Sequence, residues 1–422
     1  TCNIIDNFFV YEYFDVHNEY EHFEFNNRLS SLFIYCCFND KVCFVLIFSL
    51  LAMICQIQFQ SVVVYENQSM ARAYWPVVVD FNNDKLLDIA FLQGVYGNLI
   101  ILLQDSNHSF SSRIIIPVGC INSFNAFDIN DLNNDSLPDI VGICGSSSYI
   151  YILLTNKNGT FDKQVLSLIG NDSMPSDVII GDFNHDSHLD IAVSQVAANQ
   201  VSVFVGYGNG TFSNSVIFST GRNSFPREIA LADFNGDDYQ DIAVVNYMSR
   251  SIGIFLSYNN GSFQDQRTFF TGGGSQPFDF AIGDFNNDNI LDVVCGYQIK
   301  TSISILYGYG NGNLSEIRKI PVKLNSSAST SSIVVADLNL DNYTDIVIGH
   351  MDKGTIYALI ADQQGNFQQQ MIFSFNVYVL YFDIAVADLN NDGYPDIIAT
   401  TYQGYTVNVF FNTGQCFNVT NA

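Results

Sequence analysis

Asp182, Asn184, Asp186 and Asp190 place three carboxyl groups and one amide within the nine residues DFNHDSHLD. Oxygen-bearing side chains at positions 1, 3, 5 and 9 of a short loop suit a hard divalent cation, which takes six to eight oxygens from a flexible cage. The pattern holds no cysteine and no recurring histidine, so calcium fits this donor set better than zinc or copper. In the helix-flanked calcium loop, alternate positions supply the ligands and the seventh lends its backbone carbonyl. Here the seventh residue is His188. That helical loop is closed by a glutamate at position twelve; an aspartate at nine makes a tighter loop that can join two β-strands. Asp and Asn also suit ordinary turns, but a turn needs one or two of them, not four at fixed spacing.

The same constellation recurs along the chain. Asp80, Asn82, Asp84 and Asp88 form the first set, with the carbonyl of Leu86. Asp131, Asn133, Asp135 and Asp139 follow with Leu137, and the set at Asp182 is third. Asp233, Asn235, Asp237 and Asp241 come with Tyr239, then Asp284, Asn286, Asp288 and Asp292 with Ile290. The last two are Asp337, Asn339, Asp341 and Asp345 with Tyr343, and Asp388, Asn390, Asp392 and Asp396 with Tyr394. Successive copies begin 51, 51, 51, 51, 53 and 51 residues apart. One calcium ion per copy is expected. The sixth position of a calcium loop favours glycine; Gly393 matches, Asp238, Asn289 and Asn342 tolerate a left-handed backbone moderately, and Ser136, Ser187 and above all Lys85 suit it less. The loop at Asp80 is therefore expected to bind weakest and that at Asp388 among the tightest.

The elements that must carry these loops are strands. Around Asp233 the runs IALAD, DIAVVNY, SIGIFLSY and QDQRTFFTG are rich in β-branched and aromatic residues and broken by turn residues such as NNGSF. Four strands per repeat of about fifty residues is the signature of a propeller blade. The expected fold is all-β, a seven-bladed β-propeller with four-stranded blades. The last copy lacks a fourth strand of its own, so residues 61–65 (SVVVY) are expected to pair with the last blade and close the ring. Residues 1–41 read as an N-terminal extension, 42–57 as a signal peptide or signal-anchor, 58–416 as the propeller and 417–422 as a short tail.

Hydrophobic residues make up 48% of the 422 residues and charged ones 14%, too apolar for a disordered chain. A net charge of −26 argues against nucleic acid as a partner. The ligand positions of the loops hold 21 of the 42 acidic residues, so the excess acid reads as ligand. The 14-residue run VCFVLIFSLLAMIC after Lys41 has the length of a signal-peptide core and is short for a membrane span. Either a signal peptide or an anchor puts the propeller outside the cell or in the secretory lumen, with membrane contact only through the N-terminal segment. Eleven N-x-[S/T] sequons agree: Asn67, Asn107, Asn134, Asn158, Asn171, Asn209, Asn260, Asn313, Asn325, Asn342 and Asn418. Asn134 and Asn342 fall inside metal loops and are expected to stay unused. Cys295 reads as a core thiol, while Cys120 and Cys144 flank the Asp131 loop in adjacent strands, where a disulfide would be compatible with the fold.

The elements DFNxDxxxDIAV and GYGNGTF at 206–212, with echoes at 156–161, 258–263 and 308–314, resemble the FG-GAP or VCBS repeats found in the N-terminal propeller of integrin α chains. The resemblance covers about 58–416 and implies a calcium-stabilised propeller. A loop in every copy is closer to the VCBS pattern. No catalytic constellation breaks the repeat; His185 and His188 lack further zinc ligands, and GYGNG lies between strands without a phosphate-loop lysine. The expected function is an extracellular, non-enzymatic recognition or adhesion module for a protein or glycan ligand on the face opposite the calcium loops. Arg222, Tyr247, Tyr297 and Tyr402 are candidates on that face. The alternatives are a secreted enzyme acting on polysaccharide or lipid anchors, and a purely structural scaffold.

Overall fold

The structure is a computed structural model that describes residues 2–5, 8–11, 32–38, 42–48, 55–66, 73–94, 96–118, 124–145, 149–167, 173–272, 276–298, 302–322, 329–351, 354–375, 382–401 and 406–418. Two units separate, Thr1–Cys55 with Phe417–Ala422, and Gln56–Cys416. In the smaller unit Cys2–Ile5 pairs with Phe8–Tyr11, and Leu32–Phe38 with Val42–Phe48, both antiparallel. Of the apolar run read as a signal segment, Val42–Phe48 is thus a strand, and 49–54 lie outside the described residues. Among the described residues no helix is long and apolar enough to cross a membrane.

The larger unit consists of seven four-stranded antiparallel sheets. Their innermost strands are Ala73–Val79, Phe124–Asn130, Pro175–Gly181, Pro226–Ala232, Pro277–Gly283, Thr330–Ala336 and Phe382–Ala387. Each touches the innermost strand of the next blade, and the seventh touches the first, so the ring is closed. This is the expected seven-bladed propeller. Blade seven is completed by Cys55–Glu66, hydrogen-bonded to Thr406–Asn418. The N-terminal strand therefore covers the edge that the last copy leaves open.

Burial explains the sequence of each strand. Second strands such as Asp241–Asn246 are buried at every position, because both faces of a blade are packed by neighbours. Outermost strands such as Val216–Ser219 are largely exposed. The apolar core is divided among the blade interfaces; Phe234, Val245 and Ile254 of blade four pack with Phe280, Val293 and Leu306 of blade five. Cys295 lies in this cluster, a buried free thiol that burial pushes up to about 12. Cys144 is disulfide-bonded, and Cys120 lies outside the described residues.

Candidate metal hairpins and the channel wall

Every acidic nonapeptide is the hairpin between the first and second strands of a blade, so all seven share one face of the ring. In the third, Asp182 Oδ1 accepts the amide of Asp186 at 3.1 Å and Oδ2 that of Ser187 at 2.8 Å. Asn184 Oδ1 accepts Asp186 N at 3.1 Å, and Asp186 Oδ1 accepts His188 N at 2.8 Å. Positions 1, 3 and 5 thus fold the turn around their own oxygens. Positions 4 and 6 are left-handed in every copy, from Asn83 and Lys85 (φ 59° and 71°) to Asn391 and Gly393 (φ 56° and 89°). Position 6 behaves as expected. Position 4 escaped the sequence reading, and in the sixth loop it forces this backbone on Leu340.

Position 9 differs from the other three. Asp190 is wholly buried; its Oδ2 accepts Phe183 N at 2.9 Å and its Oδ1 accepts Gly206 N at 2.7 Å. The first bond fixes the hairpin, and the second ties it to the end of the third strand. All seven copies repeat both bonds, as with Asp88 to Phe81 and Gln104, or Asp396 to Leu389 and Asn412. Burial pushes the Asp190 carboxyl up to about 6, its amide bonds pull it down, and the charges of Asp186 and Asp182 raise it further. Asp345 is raised to about 7 in the same way.

That mutual repulsion bears on the fit of a cation. Each loop offers hard oxygens only, and positions 3 and 5 are solvent-accessible in every copy. A divalent ion beside positions 1, 5 and 9 would cancel the repulsion that raises position 9. Among the described residues no three His, Cys, Asp or Glu side chains converge as a ready metal cage. The carboxylates are turned onto loop amides, but a carboxylate has about four lone-pair sites and can share its oxygens between amide and ion. The donor set therefore fits calcium. His185 and His188 are otherwise engaged: His185 packs edge-on against Tyr239 of the next blade at 5.5 Å, and the His188 ring covers Gly208.

Neighbouring blades brace these hairpins. The carbonyl of position 2 accepts a bond from the 3–4 hairpin of the following blade: Leu132 from Gly210 N at 3.1 Å, Phe234 from Gly312 N at 2.9 Å, Leu389 from the Gln104 amide at 2.9 Å.

A second group of carboxylates lies on the innermost strands, where sequence reasoning had located nothing. Asp128 Oδ2 accepts Ile180 N at 2.9 Å, Asp177 Oδ2 accepts Ile229 N at 2.9 Å, and Asp279 Oδ2 accepts Ile333 N at 2.6 Å. Asp383 Oδ2 accepts Trp75 N at 3.0 Å, and Ser332 Oγ accepts Ile384 N at 3.3 Å. Each bond crosses to the next blade, so the channel wall is laced circumferentially. Burial pushes Asp128 and Asp383 up to about 6 and Asp177 and Asp279 up to about 7. It lifts Glu228 well above the carboxylate range, with repulsion from Asp177 and Asp279 adding to it. A sequence signal existed: Asp177, Glu228, Asp279, Ser332 and Asp383 all stand five residues before a loop.

The proposed ligand-face residues divide. Arg222 is exposed, and Tyr247 is half-buried with its hydroxyl on Gln298. Tyr297 is not a surface residue: it is 1% exposed and donates to Thr271 O at 2.7 Å, because it ends a second strand covered on both faces. Tyr402 lies outside the described residues. Arg227, missed in the sequence, stacks over Phe278 at 4.5 Å and Tyr247 at 5.4 Å.

The family model of the FG-GAP-like repeat matches residues 80–141, 131–193, 193–244, 233–295, 284–348 and 337–399. Integrin alpha-V of Gallus gallus is 28% identical over 144 residues, which are 30% of this chain and 14% of that protein. Among solved structures, a streptogramin B lyase superposes with a TM-score of 0.59 at 14% identity, covering 84% of this chain and 98% of its own. A lectin of Agrocybe aegerita that recognises non-reducing terminal N-acetylglucosamine gives 0.54 at 17% identity, covering 81% and 94%. At such identities these two structures carry the fold alone.

Proposed function

The chain belongs to the FG-GAP-like repeat family, and on that premise we propose that it is an extracellular calcium-binding recognition module whose protein or glycan ligand docks opposite the calcium hairpins. The observation that carries this reading is the sevenfold hairpin with hard oxygens at positions 1, 3 and 5 and a buried carboxylate at position 9 that the charges of positions 1 and 5 repel. Asp182, Asn184, Asp186, Asp190 and their equivalents would hold the ions. A bound ion would neutralise the carboxylates and lock each hairpin. The chain's own part is then presentation: rigid blades hold the far loops in register. On that far face Met174, Phe225 and Met248 of blades three and four are exposed, beside the exposed Arg222. Exposed apolar side chains beside a cation on that face suit a docking surface. The likeness to an integrin supports the adhesion reading.

Calorimetric titration of the full chain with calcium tests the metal. Up to seven ions are expected to bind, with each site adding about 2.7 kcal/mol at a free concentration a hundredfold above its Kd. An identical melting temperature with calcium and with chelator would falsify this reading. For the ligand, binding to glycan arrays and cell surfaces should fall when Met248→Asp and Arg222→Glu are introduced, with melting unchanged.

A further inference from the structure

Blades three and four carry the same five-residue turn between their last two strands, Tyr207-Gly208-Asn209-Gly210-Thr211 and Tyr258-Asn259-Asn260-Gly261-Ser262. The first residue's amide donates to the fifth residue's carbonyl, at 3.0 Å for Tyr207 to Thr211 and 2.9 Å for Tyr258 to Ser262. The central asparagine closes the turn from within. Asn209 Oδ1 accepts Thr211 N at 3.0 Å and the Thr211 hydroxyl at 2.6 Å; Asn260 Oδ1 accepts Ser262 N at 3.0 Å and its hydroxyl at 2.5 Å. Both asparagines are exposed, and their Nδ2 atoms donate no hydrogen bond among the described residues. The tyrosines sit directly across from Thr211 and Ser262, and cross-strand neighbours share a face with Cβ atoms about 5 Å apart. Tyr207 and Tyr258 are 58% and 59% exposed.

We infer that Asn209 and Asn260 are N-glycosylated and that the first sugar of each glycan lies on the neighbouring ring, Tyr207 or Tyr258. The inference rests on the extracellular reading above. The hydroxyl bond polarises the side-chain amide while Nδ2 stays free to react. In the transfer, the nitrogen electron pair forms a bond to the anomeric carbon of a polyprenyl-diphosphate-linked oligosaccharide. The anomeric C–O bond breaks with its electrons leaving on the diphosphate, and Nδ2 gives up one proton. The bonds that close the turn, from Tyr207 N to Thr211 O and from Thr211 to Asn209 Oδ1, are made within five residues, so the turn can form before the blade does. Once attached, the apolar face of the sugar and the exposed ring cover each other.

Four other sequons among the described residues lack one part or another. Asn158 has the hydroxyl bond, Thr160 Oγ1 to Oδ1 at 2.7 Å, but Asn156 stands where the tyrosine would be. At Asn107 the Ser109 hydroxyl goes to Asp105 instead, at 2.6 Å. At Asn313 the Ser315 hydroxyl goes to Glu316 O, at 2.8 Å. Asn134 donates its Nδ2 to Gly208 O at 3.1 Å and is committed to the blade contact. Glycans on Asn209 and Asn260 would flank the calcium hairpins and leave the opposite face open to a ligand.

The test expresses the full chain behind a cleavable secretory leader in animal cells and reads each sequon by glycopeptide mass spectrometry. Near-complete occupancy is expected at Asn209 and Asn260, partial occupancy at Asn158, and none at Asn107, Asn134 or Asn313. Tyr207→Ala should lower the melting temperature of the glycosylated protein by about 1–2 °C and leave glycosidase-treated protein unchanged. Secreted protein bare at Asn209 and Asn260 overturns the inference, as does a Tyr207→Ala effect that is equal with and without the glycan. The native protein, localised in its own cells, reports location separately: residence in the cytosol overturns the extracellular reading and, with it, modification in the native setting.

Discussion

Carboxylates do two different jobs in this ring, one at the hairpin tips and one on the channel wall. At the tips, positions 1 and 5 accept amides two to five residues away, as Asp182 does from Asp186 and Ser187. On the wall, Asp177 accepts an amide 52 residues away, that of Ile229 in the next blade. The tip's own turn bonds lie within one blade, and its Asp, Asn, Asp and Asp at positions 1, 3, 5 and 9 recur seven times. The wall varies: Trp75, Ala126 and Ser332 stand in place of the acid in blades one, two and six, and in blade two the acid is Asp128, two residues on. A local turn must be right in every copy, because each copy folds on its own bonds. A ring of links tolerates substitution, since the apolar blade interfaces also hold neighbours together.

The sharpest break in that comparison lies within the hairpin itself. Asp190→Ala strips the acceptor from two buried amides, and at about 1.5–3 kcal/mol per bond to a charged group should cost about 3–6 kcal/mol in denaturant unfolding, even without calcium. Asp186→Ala, at the exposed tip, should cost under about 1 kcal/mol without calcium but should abolish its own site in a titration. Equal costs for the two would erase the distinction between brace and ligand.

Acidity separates the two regions next. The wall carboxyls have pKa values raised to about 6 and about 7 by burial, from an ordinary value near 4. A group raised in this way binds its proton more tightly folded than unfolded, so stability falls as pH rises through that window. The metal-free protein should therefore melt highest near pH 4 and lose stability up to about pH 7. Asp279→Asn keeps an acceptor for Ile333 and removes the charge, so it should flatten the slope and add about 1–2 kcal/mol at pH 8. Calcium should oppose the slope at the tips, where the ion holds position 9 ionised. A metal-free protein with a flat profile from pH 5 to 8 would sink this account of the wall.

The smallest effect tests the backbone of the tip. Leu340 and Lys85 hold left-handed conformations, φ 58° and 71°, that cost a side-chain-bearing residue about 1–2 kcal/mol. Leu340→Gly and Lys85→Gly should each stabilise by up to about 1 kcal/mol. Lys85→Gly should also tighten the Asp80 site toward that of Asp388. Melting curves and a calcium titration of the two variants check both.

What could be read in the residues was what repeats or acts locally. The period gave seven blades, the alternation and turn residues gave four strands each, and the missing last strand pointed to residues 61–65, which lie in the closing strand. The spacing of Asp182, Asn184, Asp186 and Asp190 marked the hairpin, because its bonds span few residues. Only the assembled ring decided the rest. The ring buried Tyr297, and within blade three the fold set His188 against its own 3–4 turn and separated Asp190 as a brace from Asp182 and Asp186 at the tip. It also brought Asp128, Asp177, Asp279 and Asp383 to amides one blade away. A contact across some fifty residues depends on which strand edges meet around the axis, and no short stretch of chain encodes that.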